Sequence, residues 1–477
     1  VPRTVAVVGG GLAGLSAAHR LRRTLGAEAR IVLIEQTAQL GGKGRTVELA
    51  GAPYDIGAEA FLARRPEVLR LADELGIADE VVAPSGASAT IRAGGRTSPL
   101  PGGTFMGVPS SAESVAPVLS EQGLATVRAE QDLPPVPWSA ADVSLGLLLR
   151  ERMGDEVVDR LVDPLLGGVY AGSADGLGLR AVAPALASAL DAGAGSVTEA
   201  ARASVSPAQG QGPKAPVFGA FRGGYRRLAD ELVRQARPEV RCGCPVRSLV
   251  RRELGWRLEI GSAPAPDTLE TDAVVLAVPP PSARKLLTGV APVAAEAFAE
   301  VDLASMVVLG LALPPETTLP DSSGVLIARG ETRADGTRLT AKAFTFSSRK
   351  WPHLRGAGGE VLVRGSVGRA GEESVLRLGD SELLDAVIGD LADLTGVRAR
   401  PVETVVARWG GGLPQYGVGH GEKVAEIERC VSGIPGLAVA GAALHGVGVP
   451  ACLATGEAAA ADITGYLLGS GRDAVGP

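Results

Sequence analysis

The chain has 477 residues, 45% of them hydrophobic but only 3% aromatic, and its 47 basic and 53 acidic residues give a formal charge of −6. That length exceeds one compact core, so two or three domains are expected, and the interspersed charges with a negative total argue against nucleic acid as a partner. The mean hydropathy of +0.19 reflects small aliphatic residues; the longest apolar stretches, such as Met306 to Leu313, fall well short of the roughly 20 residues of a spanning helix.

Val5 to Val8 read as an apolar strand that runs into Gly9, Gly10, Gly11, Leu12, Ala13 and Gly14, a G-x-G-x-x-G turn opening a helix. Gly9 allows the tight turn, Gly11 lets backbone approach a pyrophosphate, and Gly14 lets helix and strand pack closely. Ile31 to Ile34 predict a second strand ending on Glu35, about where a ribose-binding carboxylate belongs. Arg3 ahead of an apolar run has the outline of a short leader, but strand, turn and helix account for each residue, so no cleavage is expected.

Two glycine-dense turns follow, Gly41-Gly42-Lys43-Gly44 and the segment Gly57, Ala58, Glu59, Ala60, which suggest backbone wrapped around an extended ligand. A helix is predicted from Pro66 through Ile77. Loops and short helices are expected over 83–137, and a helix from about Ser144 to Val162 with a break at Pro164. Residues 196–216 read as a connector. Strands are predicted around Val246 to Val250, Trp256 to Ile260, Ala273 to Ala277, Ser305 to Leu313, Lys342 to Phe346, Val361 to Ser366 and Leu437 to Gly441. Ala273 to Ala277 is continuously apolar, as in a parallel sheet buried on both faces. The closing helix is expected from Ala451 to about Leu468.

Between that last strand and helix stands Gly446-Val447-Gly448-Val449-Pro450. Glycine there admits a flat ligand, proline suits a helix's first turn, and the helix dipole would face what lies above it. Two helix dipoles aimed at one dinucleotide suit FAD better than a nicotinamide cofactor. Four cysteines, two of them in Cys242-x-Cys244, read as isolated buried thiols of a reducing cytoplasm. Four histidines without ligand spacing give no metal site.

The glycine turns, the stretch from Gly154 through Asp155-Glu156-Val157-Val158 to Gly172, and Gly446 to Cys452 resemble the protoporphyrinogen/coproporphyrinogen oxidases. These belong to the superfamily of FAD-dependent amine oxidases and phytoene desaturases. The resemblance runs from Val5 to about Leu468. The segment Gly57 to Arg65 is similar to the Gram-positive branch, whose substrate is coproporphyrinogen III. It implies an α/β (α+β multidomain) fold, with a Rossmann-like FAD-binding domain (1–49, 216–286, 431–477). A mixed-sheet substrate domain (50–68, 198–215, 287–430) and a helical, membrane-binding-like domain (69–197) complete it.

By the same resemblance, Gly9, Gly10, Gly11, Leu12, Ala13 and Gly14 would bind the pyrophosphate and Glu35 the adenosine ribose, with Gln36 also at the cofactor. Lys43, Gly57, Ala58, Glu59 and Ala60 would line the flavin side, Val246 would touch adenine, and Trp409, Val447, Gly448 and Val449 would border the flavin. Arg64 and Arg65 are the first candidates for the substrate's propionates, with Tyr170 and Arg180 as further pocket residues. The implied activity is an oxygen-using, six-electron oxidation of a porphyrinogen that forms H2O2, with no assigned catalytic base. Peripheral contact with the inner face of the cell membrane and transient contact with the next haem-pathway enzyme complete the expected partners. A protoporphyrinogen oxidase, an amine oxidase or carotenoid desaturase, and a flavin-free binding protein like the GDP dissociation inhibitors stay open as alternatives.

Overall fold

The computed structural model describes residues 3–205 and 216–469. At its centre lies an all-parallel five-stranded sheet, in the order Glu239–Arg241, Arg30–Ile34, Thr4–Val8, Ala273–Leu276, Leu437–Val439. Its inner strands are apolar and buried beyond their first residues, Thr4 and Arg30, because both faces are covered, as parallel crossovers require. One face packs on helices Leu12–Leu25, Pro66–Leu75, Tyr225–Ala236 and Val449–Gly469. The other meets an antiparallel meander (Val246–Arg251, Trp256–Ser262, Ala265–Thr271) and helices Pro280–Leu287, Pro292–Ala299 and His420–Ser432.

Helices Leu12–Leu25 and Val449–Gly469 lie against each other at glycine. A methyl on Gly456 would stand 2.1 Å from the Ala13 carbonyl oxygen, so only glycine allows this approach. The Ser16 hydroxyl donates to the Leu453 carbonyl across the same seam at 3.0 Å. The first and last turns of the chain are thereby brought to one end of the sheet.

A seven-stranded mixed sheet forms the second body, in the order Glu403–Pro414, Leu303–Leu313, Val361–Val367, Ala341–Thr345, Gly324–Ile327, Thr90–Ala93, Arg96–Pro99. One face packs against helix Asp380–Thr395. The other covers the hairpin Thr46–Leu49/Ala52–Asp55 through Tyr54, Leu49 and Trp409. The third body is a helical cluster built from residues between Val108 and Ala201, which also takes up Ile91, Ala93 and Ala328 of the sheet side.

Several expectations change. Residues 83–137 are not only loops and short helices: Thr90–Ala93 and Arg96–Pro99 are an antiparallel hairpin at the edge of the seven-stranded sheet. The helix from Ser144 breaks at Gly154 (φ 84°) rather than at Pro164. Proline 164 instead follows a π-helical turn, Val158–Val162, and lies at the start of helix Asp163–Val169. A widened turn accommodates the absent N–H and the ring's clash with the preceding turn. The connector over 196–216 begins as helix Val197–Ser204, capped by the Ser196 hydroxyl, while positions 206–215 lie outside the described residues. The cysteines are free and only partly sheltered: Cys242 is exposed, and Cys244, Cys430 and Cys452 are half-buried.

Candidate active site

The strand Thr4–Val8 ends where its neighbour does, and the Gly9 N–H donates to the Ile34 carbonyl at 2.8 Å. Gly9 has φ +106°, and a methyl on it would meet the Ala277 carbonyl oxygen at 2.2 Å. At Gly14 a methyl would meet the Gly9 carbonyl oxygen at 1.9 Å, whereas at Gly11 nothing lies nearer than the Gly42 Cα at 3.9 Å. Gly9 and Gly14 are therefore fixed by the fold itself, and Gly11 faces open space. Helix Leu12–Leu25 starts at Gly11 with no side-chain cap, leaving its first N–H groups directed into that space.

The space is a cavity of about 700 Å³, lined from one end by Glu35, Gln36 and Val246 and from the middle by Gly9, Gly11, Leu12 and Ala13. Farther on it is lined by Lys43, Ala58, Trp409, Val447, Val449 and Cys452. That size suits a cofactor, since ligand sites run to roughly 300–1,000 Å³. Glu35 is nearly buried, and its two oxygens accept the Gly10 and Thr37 N–H groups at 2.7 and 2.8 Å. Each oxygen keeps a lone pair for a ribose hydroxyl. Donors at the glycine turn, an acceptor at one end and apolar walls at the other fit FAD.

Lys43 lies deep in the cavity wall. Burial lowers its amine below the ordinary lysine value, against the opposing pull of the nearby Cys452. Burial pushes the Cys452 thiol up to about 11. Gly57 is wedged between the Lys43 carbonyl and the Trp409 ring, where a methyl would stand 2.0 Å and 3.1 Å from them. The Trp409 indole donates to the Ile56 carbonyl at 3.1 Å, and Ala58 donates to the Lys43 carbonyl at 2.7 Å. Of the expected flavin-side segment, Ala58 lines the cavity, while the Glu59 carboxylate turns inward to the Trp351 indole (2.6 Å) and Lys350 (3.3 Å). Burial would raise Glu59, but Lys350, Arg364 and the indole outweigh it and hold the carboxyl below its usual value.

Arg364, which the sequence reading passed over, ties this segment to the sheet by donating to the Asp55 and Gly57 carbonyls at 2.9 and 2.6 Å. Its signal was present as a single charge in the apolar run Val-Leu-Val-Arg. Tyr416 was also passed over. Its hydroxyl donates to the Ala442 carbonyl and accepts the Gly446 N–H, both at 2.7 Å, and its ring stacks on His420 at 3.8 Å. It thereby fixes the turn that leads to Val447 and Val449. Within that turn the demand on φ falls on Gly446 (+144°) and not on Gly448, beside which a methyl would meet only Pro450 at 3.7 Å.

The four substrate-side candidates are not brought together. Tyr170 is buried, with its ring 5.7 Å from that of Tyr416. Arg64 and Arg65 are exposed at the start of helix Pro66–Leu75, and Arg65 pairs with Glu67 at 2.5 Å. Arg180 is engaged by Asp191 at 2.9 Å and lies over the Trp138 ring. None of these arginines lines the cavity: neighbouring carboxylates hold Arg65 and Arg180, and Arg64 is exposed to solvent.

The sequence matches the profile of the family described as flavin containing amine oxidoreductase over residues 12–464. A coproporphyrinogen III oxidase of Mycobacterium tuberculosis is 45% identical over 456 residues, covering 95% of both chains. That of Bacillus subtilis is 30% identical and covers 97% of this chain and 98% of its own. A solved structure from Exiguobacterium sp. 255-15, provisionally assigned as a protoporphyrinogen oxidase, superposes with a TM-score of 0.84 at 27% identity, covering 97% of this chain and 99% of that one. Cyclohexylamine oxidase from Brevibacterium oxydans shares the fold at a TM-score of 0.71 and 16% identity, over 98% of this chain and 100% of its own.

Proposed function

The chain belongs to the family of flavin containing amine oxidoreductases and takes FAD as its cofactor, and from that premise we propose that it oxidises coproporphyrinogen III to coproporphyrin III. The observation that carries the substrate is the 45% identity to coproporphyrinogen III oxidases over 95% of the chain. When bound, FAD supplies the hydride acceptor, and O2 serves as terminal oxidant with H2O2 as its product.

In this reading the glycine turn at Gly9 to Gly14 and the start of helix Leu12–Leu25 bind the pyrophosphate, and Glu35 binds the ribose. Ala58, Trp409, Val447 and Val449 form apolar walls that hold the ring system and exclude water, and Lys43 places its amine beside it. Tyr416 and Arg364 act as positioning residues, because each fixes backbone that faces the cavity. The histidine-poor site matches a reaction whose acceleration rests on orientation and dehydration. Arg64 and Arg65 remain proposed rim contacts for propionates arriving from solvent. Among the described residues no helix is long and apolar enough to cross a membrane. Peripheral contact with a membrane surface is proposed through the helical cluster, where Leu147 and Val169 are exposed.

The test presents coproporphyrinogen III and protoporphyrinogen IX to the FAD-loaded protein in air and follows porphyrin fluorescence. Faster oxidation of the tetracarboxylate supports the reading. Faster oxidation of the dicarboxylate moves the chain to protoporphyrinogen oxidase, and oxidation of neither removes the reading.

A further inference from the structure

The seven-stranded sheet carries a charge that the cofactor site does not use. Lys342, on strand Ala341–Thr345, is only 4% exposed. Its amine touches no carboxylate among the described residues; its one polar neighbour is the Met306 Sδ at 3.8 Å, a weak acceptor. Buried lysines are normally paired, since an isolated ammonium in a dry interior is expensive.

The face that Lys342 reaches is set by a β-bulge and by its contact with Met306: Ala341 pairs with Val367 and Ala343 with Ser366, so Lys342 is the extra residue between them. Ala341 and Phe344 point to the helix-covered face with Val307, Val363 and Val367. Met306 belongs to the opposite face, with Tyr54 and Trp409. Met306 is the cross-strand partner of Trp409, whose ring lines the cofactor cavity. Lys342 therefore stands one side chain away from that wall.

Its surroundings are cationic. Arg364 and Arg369 both face it and depress its amine, burial being the larger cause, so that it falls to about 7; Glu372 opposes this weakly. Glu372 is already held by Arg369 and Arg329, each at 3.4 Å. Asp163, which faces Arg369, accepts the Ala174 N–H at 2.7 Å. Arg369 donates onward to the Ile327 carbonyl. Glu372 and Asp163 thus answer Arg369 and Arg329, and Glu59 answers Arg364 and Lys350, so among the described residues no carboxylate touches the Lys342 amine.

We propose that Lys342 binds a carboxylate arm of the substrate, making the sheet face beside Trp409 an anion subsite. The inference rests on the porphyrinogen reading above. A macrocycle is too wide to reach an amine buried this deeply, but a flexible propionate is slim enough and brings two acceptor oxygens. Its arrival would supply the missing charge and return the amine to its ammonium form.

The experiment compares FAD-loaded wild type with Lys342→Met and Lys342→Gln. It measures the Kd of coproporphyrin III by fluorescence titration, KM and kcat with coproporphyrinogen III, and melting without ligand. Removing the amine should weaken Kd and raise KM by about tenfold to a hundredfold, the size of a lost charge-assisted hydrogen bond, with kcat little changed. Without ligand, Lys342→Met should melt no lower than wild type, because a similar volume is kept and a stranded charge removed. Wild-type affinity should fall as pH rises above about 7, where the free amine loses its proton, and this fall should vanish in both variants. An unchanged Kd, the same pH dependence in wild type and variants, or a kcat loss at constant KM would overturn the proposal. Wild type that oxidises neither porphyrinogen defeats the substrate reading instead, which keeps the two failures distinct.

Discussion

Substituting Gly11→Ala isolates the cofactor contact from the fold. At Gly11 φ is −72° and ψ 175°, which alanine adopts freely, and the added methyl meets nothing nearer than 3.9 Å. The cofactor-free protein should therefore keep its stability or gain about 0.4–1 kcal/mol from the smaller unfolded-state entropy. The methyl projects into the cavity where the account places the pyrophosphate. It should displace a phosphate from the helix N–H groups, a charge-assisted contact worth about 1.5–3 kcal/mol, so FAD should bind about tenfold to a hundredfold more weakly. Gly14→Ala is the contrasting variant. Its methyl would stand 1.9 Å from a backbone oxygen, so helix and strand must part, at about 1–3 kcal/mol of stability or more before any cofactor is added. Quenching of FAD fluorescence on titration with apoprotein gives the affinity, and thermal melts of the apo forms give the stability. Gly11→Ala binding FAD as tightly as wild type, or losing as much stability as Gly14→Ala, would refute the placement of the pyrophosphate.

Gly448→Val should fold, since its backbone needs no unusual φ and its only near neighbour is Pro450, and should lose flavin per folded molecule by absorbance; full occupancy with normal turnover would remove this turn from the ring site. Arg65→Ala should leave melting nearly unchanged, because an exposed pair with Glu67 is worth about 0–1 kcal/mol, yet raise KM for coproporphyrinogen III if Arg65 meets substrate at the rim; a constant KM ends that role. Burial raises the Asp55 carboxyl to about 7, so the folded protein holds a proton that the unfolded chain releases from about pH 4 upward. Stability should then fall as pH rises from about 4 to 7 with the full penalty present above that, and Asp55→Asn should flatten this window in pH-dependent melts; an unaltered slope assigns the titration elsewhere.

The central sheet was legible because its strands are buried on both faces. Val5 to Val8 and Ala273 to Leu276 are unbroken apolar runs, which no surface element would carry. Two edge strands without an apolar run were not legible. Glu239–Arg241 reads as a polar tripeptide, and Glu403–Pro414 interleaves charges with Gly410 to Gly412. Trp409 lies on the latter strand and was reached only through family resemblance. The hairpin at Thr90–Pro99 hid among glycine, serine and proline, because its pairing partner Gly324–Ile327 lies more than 200 residues away. In the site, glycine spacing announced the cofactor turn, and Glu35 followed from its strand end. Arg364 and Tyr416 act on backbone about 300 and 30 residues distant, respectively, and local pattern holds no record of such contacts. Arg64, Arg65 and Arg180 show the converse: a charge type matched the substrate, while nearby carboxylates or solvent took the side chains.

The most direct test of the central claim is the oxidation of the two porphyrinogens by the same FAD-loaded preparation at matched concentrations, with H2O2 measured alongside. The account predicts that coproporphyrinogen III is the faster substrate, that one H2O2 forms per two electrons removed, and that stripping FAD abolishes the reaction until FAD is restored. A faster reaction with protoporphyrinogen IX, or porphyrin formation that does not depend on FAD, would contradict it.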